Sequence, residues 1–353
     1  MLDRLRVCVV GAGRMGQLRA KILYGNPRVK LQYVVDVAED WGRKVAALYE
    51  AEYAESFHKV DKSKIDAVVI CVGTEFHGQI ILQAADNGIA IFCEKPIDGQ
   101  GKEISRLFAY CKEKSVPLCC GFQRRFDKSY AKVREQVVAG KIGTPVMARV
   151  FFADHPPPPL SFLKSAGGDP FIDLAPHDLD FICWCLNDEP LEIQGTASSS
   201  DPELAAENVV DTAMITIKFK KGCLCNIFMS RSSNYGYDQR CELFGTDGVI
   251  SVENPKEDTC VSGTNTGFES SKLFHSFPQR FREAFESEME SFVDTVTKRT
   301  PWPVTEDDCV AAQEIAIAAS ASNALGAKVI YRRDSSESAS KPKMPLQEAI
   351  ISA

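Results

Sequence analysis

Long hydrophobic runs are missing from this sequence: no stretch approaches the roughly 20 apolar residues needed to cross a bilayer. Residues 7–10 form an apolar run, but it is too short and too soon followed by glycines to be the core of a signal peptide. Excess basic charge is lacking too. The formal net charge is -7, which argues against nucleic acid as the main partner, because phosphate binding wants a basic surface. Histidine is scarce, with five in 353 residues, and no HxxxH or CxxC pair gives metal-ligand spacing, so no metal is expected. Neither a P-loop nor a G-x-S-x-G turn is present. The thirteen cysteines are an odd number and sit mostly in apolar segments, as Cys8, Cys71, Cys93 and Cys183 do. Buried thiols in a reducing compartment explain them better than a disulfide framework, and the cytoplasm is the expected location.

What is present suits two cores, given the length and a hydrophobic fraction of 44%. Between residues 5 and 120, short β-branched runs alternate with helical periodicity. Strands are expected at 5–10, 29–35, 65–72, 89–93 and 116–120, with helices at 17–24, 40–49, 78–87 and 101–114. That rhythm predicts an α/β domain over residues 1–122 with a doubly wound parallel sheet, the Rossmann type. After residue 120 the pattern changes. A helix near 128–139 and a strand at 143–153 precede the prolines of 156–159, which exclude helix and central strand. A helix from about 173 to 186 and alternating segments at 211–219, 223–232 and 240–244 follow, with Gly222 as a turn. Residues 123–332 should therefore form an α+β domain with a large open, mostly antiparallel sheet. Thr305 and the acidic residues after it open a helix that stops at Gly326. Residues 333–353 read as a mobile tail.

The strongest chemical signal is Gly11-x-Gly13-x-x-Gly16, directly after a strand and opening a helix. Gly11 permits the tight turn, Gly13 lets the backbone approach a pyrophosphate, and Gly16 lets helix and strand pack closely. Unpaired N–H groups at the helix start then face the negative phosphates. Asp36 lies 20 residues beyond Gly16, at the end of the next strand. A carboxylate there accepts hydrogen bonds from both ribose hydroxyls of NAD and repels a 2'-phosphate, so NAD is expected over NADP. FAD shares the fingerprint but needs further machinery for its isoalloxazine. Thr74 and His77 follow a strand end and suit cofactor neighbours, although His77 suits a helix-capping role nearly as well.

Glu94-Lys95-Pro96 follows another strand end, which aims Lys95 toward the nicotinamide region. Pro96 restricts Lys95 to extended backbone. In the stretch from Gly167-Gly168 to Asp180, Asp173 and His177 are four apart and His177 and Asp180 three apart, so one helix would stack them. Neighbouring carboxylates orient a histidine and raise its pKa toward a value useful for proton transfer. A loop lysine without a role, and a capping aspartate beside a packed histidine, are the competing readings.

Taken together, Gly11–Gly16, Asp36, Thr74-x-x-His77, Glu94-Lys95-Pro96 and Gly167-Gly168 leading to Asp173 and His177 resemble the Gfo/Idh/MocA family over about residues 5–330. The name joins glucose–fructose oxidoreductase, inositol dehydrogenase and rhizopine catabolism. The resemblance implies a Rossmann domain, then a domain whose open sheet faces the cofactor and joins copies into dimers or tetramers. It implies Lys95, Asp173 and His177 as the catalytic set, with His177 the proton acceptor. Cofactor contacts would come from Gly11, Gly13, Arg14, Met15, Gly16, Asp36, Gly73, Thr74, His77, Glu94 and Lys95.

Residues 121–127 and 234–245 further resemble the inositol dehydrogenases of that family. This implies a polyol pocket lined by Arg124 and by Tyr235 or Tyr237, together with Lys95, Asp173 and His177; Arg125 equally suits a helix-side or interface charge. Gln123 and the proline run depart from the pattern. The implied activity is NAD-dependent oxidation of a cyclic polyol, myo-inositol to its 2-keto inosose. The rivals are the same chemistry on another sugar or a dihydrodiol, and a non-catalytic dinucleotide-binding regulator, which has no need of Lys95, Asp173 and His177 together.

Overall fold

Continuous β-branched runs in the first third of the chain become strands because the sheet they build is covered on both faces. The computed structural model describes residues 4–164 and 168–332, so the tail expected at 333–353 and Gly167 lie outside the described residues. The first region runs β1 (Leu5–Val10), α1 (Arg14–Gly25), β2 (Val29–Val35), α2 (Glu39–Leu48) and β3 (Glu52–Ala54). It continues β4 (Ala67–Ile70), α3 (His77–Asp86), β5 (Ala90–Glu94), α4 (Gly101–Glu113) and β6 (Leu118–Gly121). Every pairing is parallel, in the order β3-β2-β1-β4-β5-β6. The C-terminal ends of β1, β2, β4 and β5 thus share one edge, where sheets of this kind bind ligands. Of the strands and α-helices of this region, β3, three residues long, escaped the sequence reading.

The second region holds α5 (Lys128–Val138), β7 (Pro145–Ala153), α6 (Leu160–Leu163), α7 (Pro170–Asp173), α8 (Pro176–Leu186), β8 (Pro190–Ser198) and α9 (Pro202–Ala206). Then come β9 (Thr212–Phe219), β10 (Leu224–Ser230), β11 (Asp238–Gly245), β12 (Val249–Val252) and an exposed hairpin of β13 (Val261–Thr264) and β14 (Gly267–Ser270). The chain closes with α10 (Phe277–Arg280), α11 (Arg282–Lys298), α12 (Glu306–Leu325) and β15 (Val329–Ile330). Seven strands form the sheet β12-β11-β7-β10-β9-β8-β15. Its pairings are antiparallel except that β7 and β10 run parallel. Alternation sends Val150, Phe152, Ile215, Ile217, Ile227 and Leu243 into the core. Met147, Met214, Leu224 and Phe244 stay exposed on the other face.

Two expectations need correction. The single helix expected from 173 to 186 is two, α7 and α8. Asp169 caps α7 by accepting the Phe171 N–H at 2.8 Å, and Pro176, which has no N–H, restarts the helix as the first residue of α8. Residues 123–332 also do not stay with the second sheet. Met289, Phe292 and Val293 of α11 are buried among Val7, Val9, Val69 and Phe92 of the first, and Cys309, Val310 and Ala312 of α12 join the core beside α3 and α4. The last helices therefore complete the first domain.

Candidate active site

The glycine-rich turn is fixed by contacts that no side chain could tolerate. Gly11 has φ +94°, and a Cβ there would lie 2.6 Å from the Cys71 carbonyl oxygen. A Cβ on Gly16 would lie 1.7 Å from the Gly11 oxygen, whereas around Gly13 nothing approaches within 4 Å. Gly13 precedes α1 without a side-chain cap, so the first N–H groups of the helix stay available. Asp36, at the tip of β2, accepts the Ala12 N–H through Oδ2 at 2.7 Å and the Ala38 N–H through Oδ1 at 2.8 Å. The Trp41 indole donates to the Ala12 carbonyl at 2.8 Å, tying α2 to the same turn. Arg43 is held by Glu39 at 2.8 Å and lies over the Tyr53 ring. A backbone cradle open at Gly13, with a pinned carboxylate beside it, fits the phosphates and adenosine ribose of NAD.

The other residues expected near the cofactor are placed as follows. Met15 packs against the core of the second domain. Arg14 reaches across to Ser276 and lies 4.3 Å from the Phe277 ring centroid. Gly73 is exposed and Thr74, half-buried, opens a turn of 3-10 helix, Thr74–Phe76. His77 does not present its ring to a cofactor: it is 1% exposed, with its nitrogens facing the Pro96 and Val72 carbonyls at 2.9 and 3.1 Å. It braces the two loops, and burial lowers its pKa. Glu94 turns inward to Arg19 at 2.8 Å rather than outward.

The expected catalytic trio does come together. Lys95 follows β5 through a cis bond to Pro96, and its Nζ donates to the Asp173 carbonyl at 2.8 Å and lies 3.5 Å from Asp173 Oδ1. Asp173 Oδ2 accepts from Arg231 at 2.7 Å. Burial alone would raise the Asp173 pKa; Lys95 and Arg231 outweigh it and hold the carboxyl below its usual range. His177, in the first turn of α8, is half-buried, and its Nδ1 has no hydrogen-bond partner among the described residues. The Phe122 ring stands edge-on to it, centroids 6.2 Å apart.

Here the expected electrostatics are reversed. Asp173 serves two cations, and Asp180 pairs with Arg125 at 2.6 Å, so neither carboxylate raises His177. Burial, followed by the Lys95 and Arg124 charges, lowers its pKa well below 6.5.

Arg124 does not line an open pocket. It is 1% exposed, paired with Asp178 and bonded to Gln239 Oε1 at 2.8 Å, an internal platform behind His177. The Tyr237 ring is buried between Phe152 and Phe281. Tyr235 is 58% exposed, its hydroxyl donating to Asp238 Oδ2 at 2.7 Å.

Sequence reasoning missed Arg231 and Asp154. Residues 223–232 looked like one strand, but β10 stops at Ser230, so Arg231 leaves its C-terminal end. Because β7 is parallel to β10, Asp154 leaves at the same end, its N–H on the Ser230 carbonyl at 2.9 Å. Burial pushes the Asp154 carboxyl up, partly offset by the His155 N–H and then by Arg14 and Arg231. His155 and His275 stand beside it with ring centroids 4.7 Å apart. The signal available was the change from alternation to charge at both strand ends.

A dinucleotide cradle facing a lysine, a carboxylate and a neutral histidine from a second domain defines a two-domain nicotinamide-dependent oxidoreductase. Residues 5–122 match the oxidoreductase family with an NAD-binding Rossmann fold, and residues 130–251 match the GFO/IDH/MocA C-terminal domain. The chain belongs to the Gfo/Idh/MocA oxidoreductase family. The myo-inositol 2-dehydrogenase of Thermotoga maritima is 33% identical, covering 86% of this chain and 92% of that protein. A crystal structure of a probable dehydrogenase from the same organism has a TM-score of 0.87 at 32% identity, covering 92% of this chain and 98% of that one. That of Lactobacillus casei scyllo-inositol dehydrogenase with bound NAD(H) and scyllo-inositol has a TM-score of 0.86 at 25% identity, covering 93% and 99%.

Proposed function

We propose that this protein oxidises one secondary hydroxyl of a cyclic polyol with NAD, most specifically myo-inositol to its 2-keto inosose. The observation that carries the reading is the Lys95–Asp173 contact, which joins a strand end of the dinucleotide domain to the segment before His177. Similarity to proteins named as inositol dehydrogenases supports the substrate class.

NAD, when bound, supplies the hydride acceptor. The chain's own residues handle the proton and the charge. His177, held neutral, takes the hydroxyl proton through its ring. The Lys95 ammonium steadies the negative charge that grows on the reacting oxygen. Asp173 holds Lys95 in place, and Arg231 keeps Asp173 ionised for that task. The remaining polyol oxygens call for directional hydrogen bonds rather than one ion pair, and we assign part of that recognition to Tyr235, whose hydroxyl donates to Asp238 and can still accept, with the buried Tyr237 supporting it.

A panel of polyols, aldoses and diols, run with NAD and NADP side by side and followed by the absorbance of reduced nicotinamide, tests the assignment. Lys95→Ala and His177→Ala should each lower kcat by about 10²–10⁴-fold with NADH affinity nearly unchanged. Full turnover in both variants, or a panel in which no polyol reacts, refutes it. The exposed sheet face, with Met147, Met214, Leu224 and Phe244, supports a homodimer or homotetramer built through that sheet. Leu224→Asp should lower the mass measured by light scattering. Thirteen free thiols, ten of them buried, fit a reducing compartment such as the cytoplasm.

A further inference from the structure

Behind the candidate site lies a charge cluster that the chemistry above leaves unused. Arg19 of α1 has a side chain only 1% exposed. Its Nε donates to Glu94 Oε1 at 2.8 Å, and its Nη2 lies 2.6 Å from Oε2 of Glu288, a fully buried residue of α11. Phe92 and Phe285 flank the guanidinium at 4.7 and 4.9 Å.

A buried ion cluster is a weak source of stability, because desolvation offsets the Coulombic gain, so its placement is the informative fact. Glu94 immediately precedes Lys95. The Phe122 ring stands edge-on to His177, and the turn that follows it, Gln123–Phe126, packs against α11, the helix that carries Glu288. One guanidinium therefore ties the strand end that carries Lys95 to α11, which packs against the turn following Phe122.

We propose that Arg19, Glu94 and Glu288 are positioning residues for the oxidation described above, clamping the supports of Lys95 and His177 at a fixed separation. The catalytic half of this inference rests on that reading; the charge state of the cluster does not. One cation between two carboxylates leaves an excess negative charge in the interior. The groups facing Glu288 are Arg19 from α1, Glu94 from β5, and the thiols of Cys71 and Cys119, which burial keeps protonated. Burial raises the Glu288 carboxyl, Arg19 pulls it back and Glu94 adds to the rise, which leaves it pushed up to about 7. Below about pH 7 Glu288 thus takes up the proton that removes the excess charge. The folded pKa exceeds the ordinary 4.5, so this group's contribution to stability is complete below that value and is lost as the pH rises through about 7.

The test uses the full chain. Glu288→Gln keeps the shape and neutrality of the protonated acid, whereas Glu288→Ala empties the position. Urea unfolding across about pH 5 to 8, kcat and KM on the best polyol, and NADH binding by fluorescence are measured for both variants, for Arg19→Met and for Glu94→Gln. Glu288→Ala and Arg19→Met should lower kcat by about 10- to 100-fold with KM and NADH affinity changed far less, because the loss is one of alignment. Glu288→Gln should restore most of the rate and flatten the fall of stability with rising pH. Glu94→Gln carries the kinetic test if Arg19→Met fails to fold. Wild-type kcat in Glu94→Gln and Glu288→Ala, or an unaltered pH slope in Glu288→Gln, overturns the inference. A wild-type protein that oxidises no polyol defeats the proposed function instead, and the pH slope still judges the cluster.

Discussion

His177 owes its neutrality to its surroundings and not to a partner. Its pairing with carboxylates was the natural reading of Asp173, His177 and Asp180 at helical spacing, and that reading gave the wrong sign. The carboxylates are engaged by Lys95, Arg231 and Arg125, leaving the imidazole between burial and two cations. A base that stays unprotonated needs no activation as the pH falls through the ordinary histidine range. The histidine resonances of the full-length protein should therefore show no His177 titration between about pH 6 and 8, and kcat for oxidation should lack an acid limb centred on 6.5. A His177 signal that titrates at 6.5 contradicts the site as built. Stability follows the same sign. His77 and His177 both have folded pKa values below 6.5, so the unfolded chain binds protons first. Their contribution is present above about 6.5 and is lost as the pH falls toward the lower folded values.

At the scale of elements, what matters is where strands stop. β2 ends so that Asp36 can accept from Ala12 and Ala38 at once, which makes the carboxylate a brace for the glycine turn; the proposed function adds the role of ribose acceptor. Asp36→Ala removes both functions and the charge that would repel a 2'-phosphate. NADH affinity should fall about 10- to 100-fold, as expected for a lost charge-assisted hydrogen bond, while the preference for NAD over NADP shrinks. Titration of both cofactors by fluorescence checks it; an unchanged preference would show that Asp36 is not the discriminating group. This much was legible in the residues, because a glycine fingerprint and an acidic strand end are local features. The ends of β7 and β10 were not. Nothing local says that Pro145–Ala153 and Leu224–Ser230 are parallel neighbours, and only that pairing sets Asp154 beside Arg231.

Across the whole molecule, the chain leaves the first domain after β6 and returns to it with α11. Phe292 is fully buried and meets the Phe92 ring of β5 at a centroid separation of 5.7 Å. Phe292→Ala should cost about 3–5 kcal/mol, read by urea unfolding, because it opens a cavity in the core of the dinucleotide domain. Residues 1–122 expressed alone should fail to fold cooperatively, lacking Met289, Phe292 and Val293 over the first sheet. A stable, NADH-binding fragment 1–122 would show that α11 is an ornament to that core. The polar stretch from 282 to 298 gave no hint of this role, since a helix that buries one stripe against a distant sheet looks in sequence like any surface helix.

The sequence by itself determined the alternation of strand and helix, the open second sheet, the glycine turn with its carboxylate, and the helical spacing of Asp173 and His177. Each of these is written in spacing over a few residues or in a motif whose geometry is local. Tertiary structure alone decided which carboxylate meets which cation, that Arg124 is an internal platform rather than a pocket wall, and that His77 is sealed between two carbonyls. It also decided that Arg19 lies between Glu94 and Glu288. The reason is that ion pairing and desolvation depend on distance and burial, which residues far apart in the chain set together.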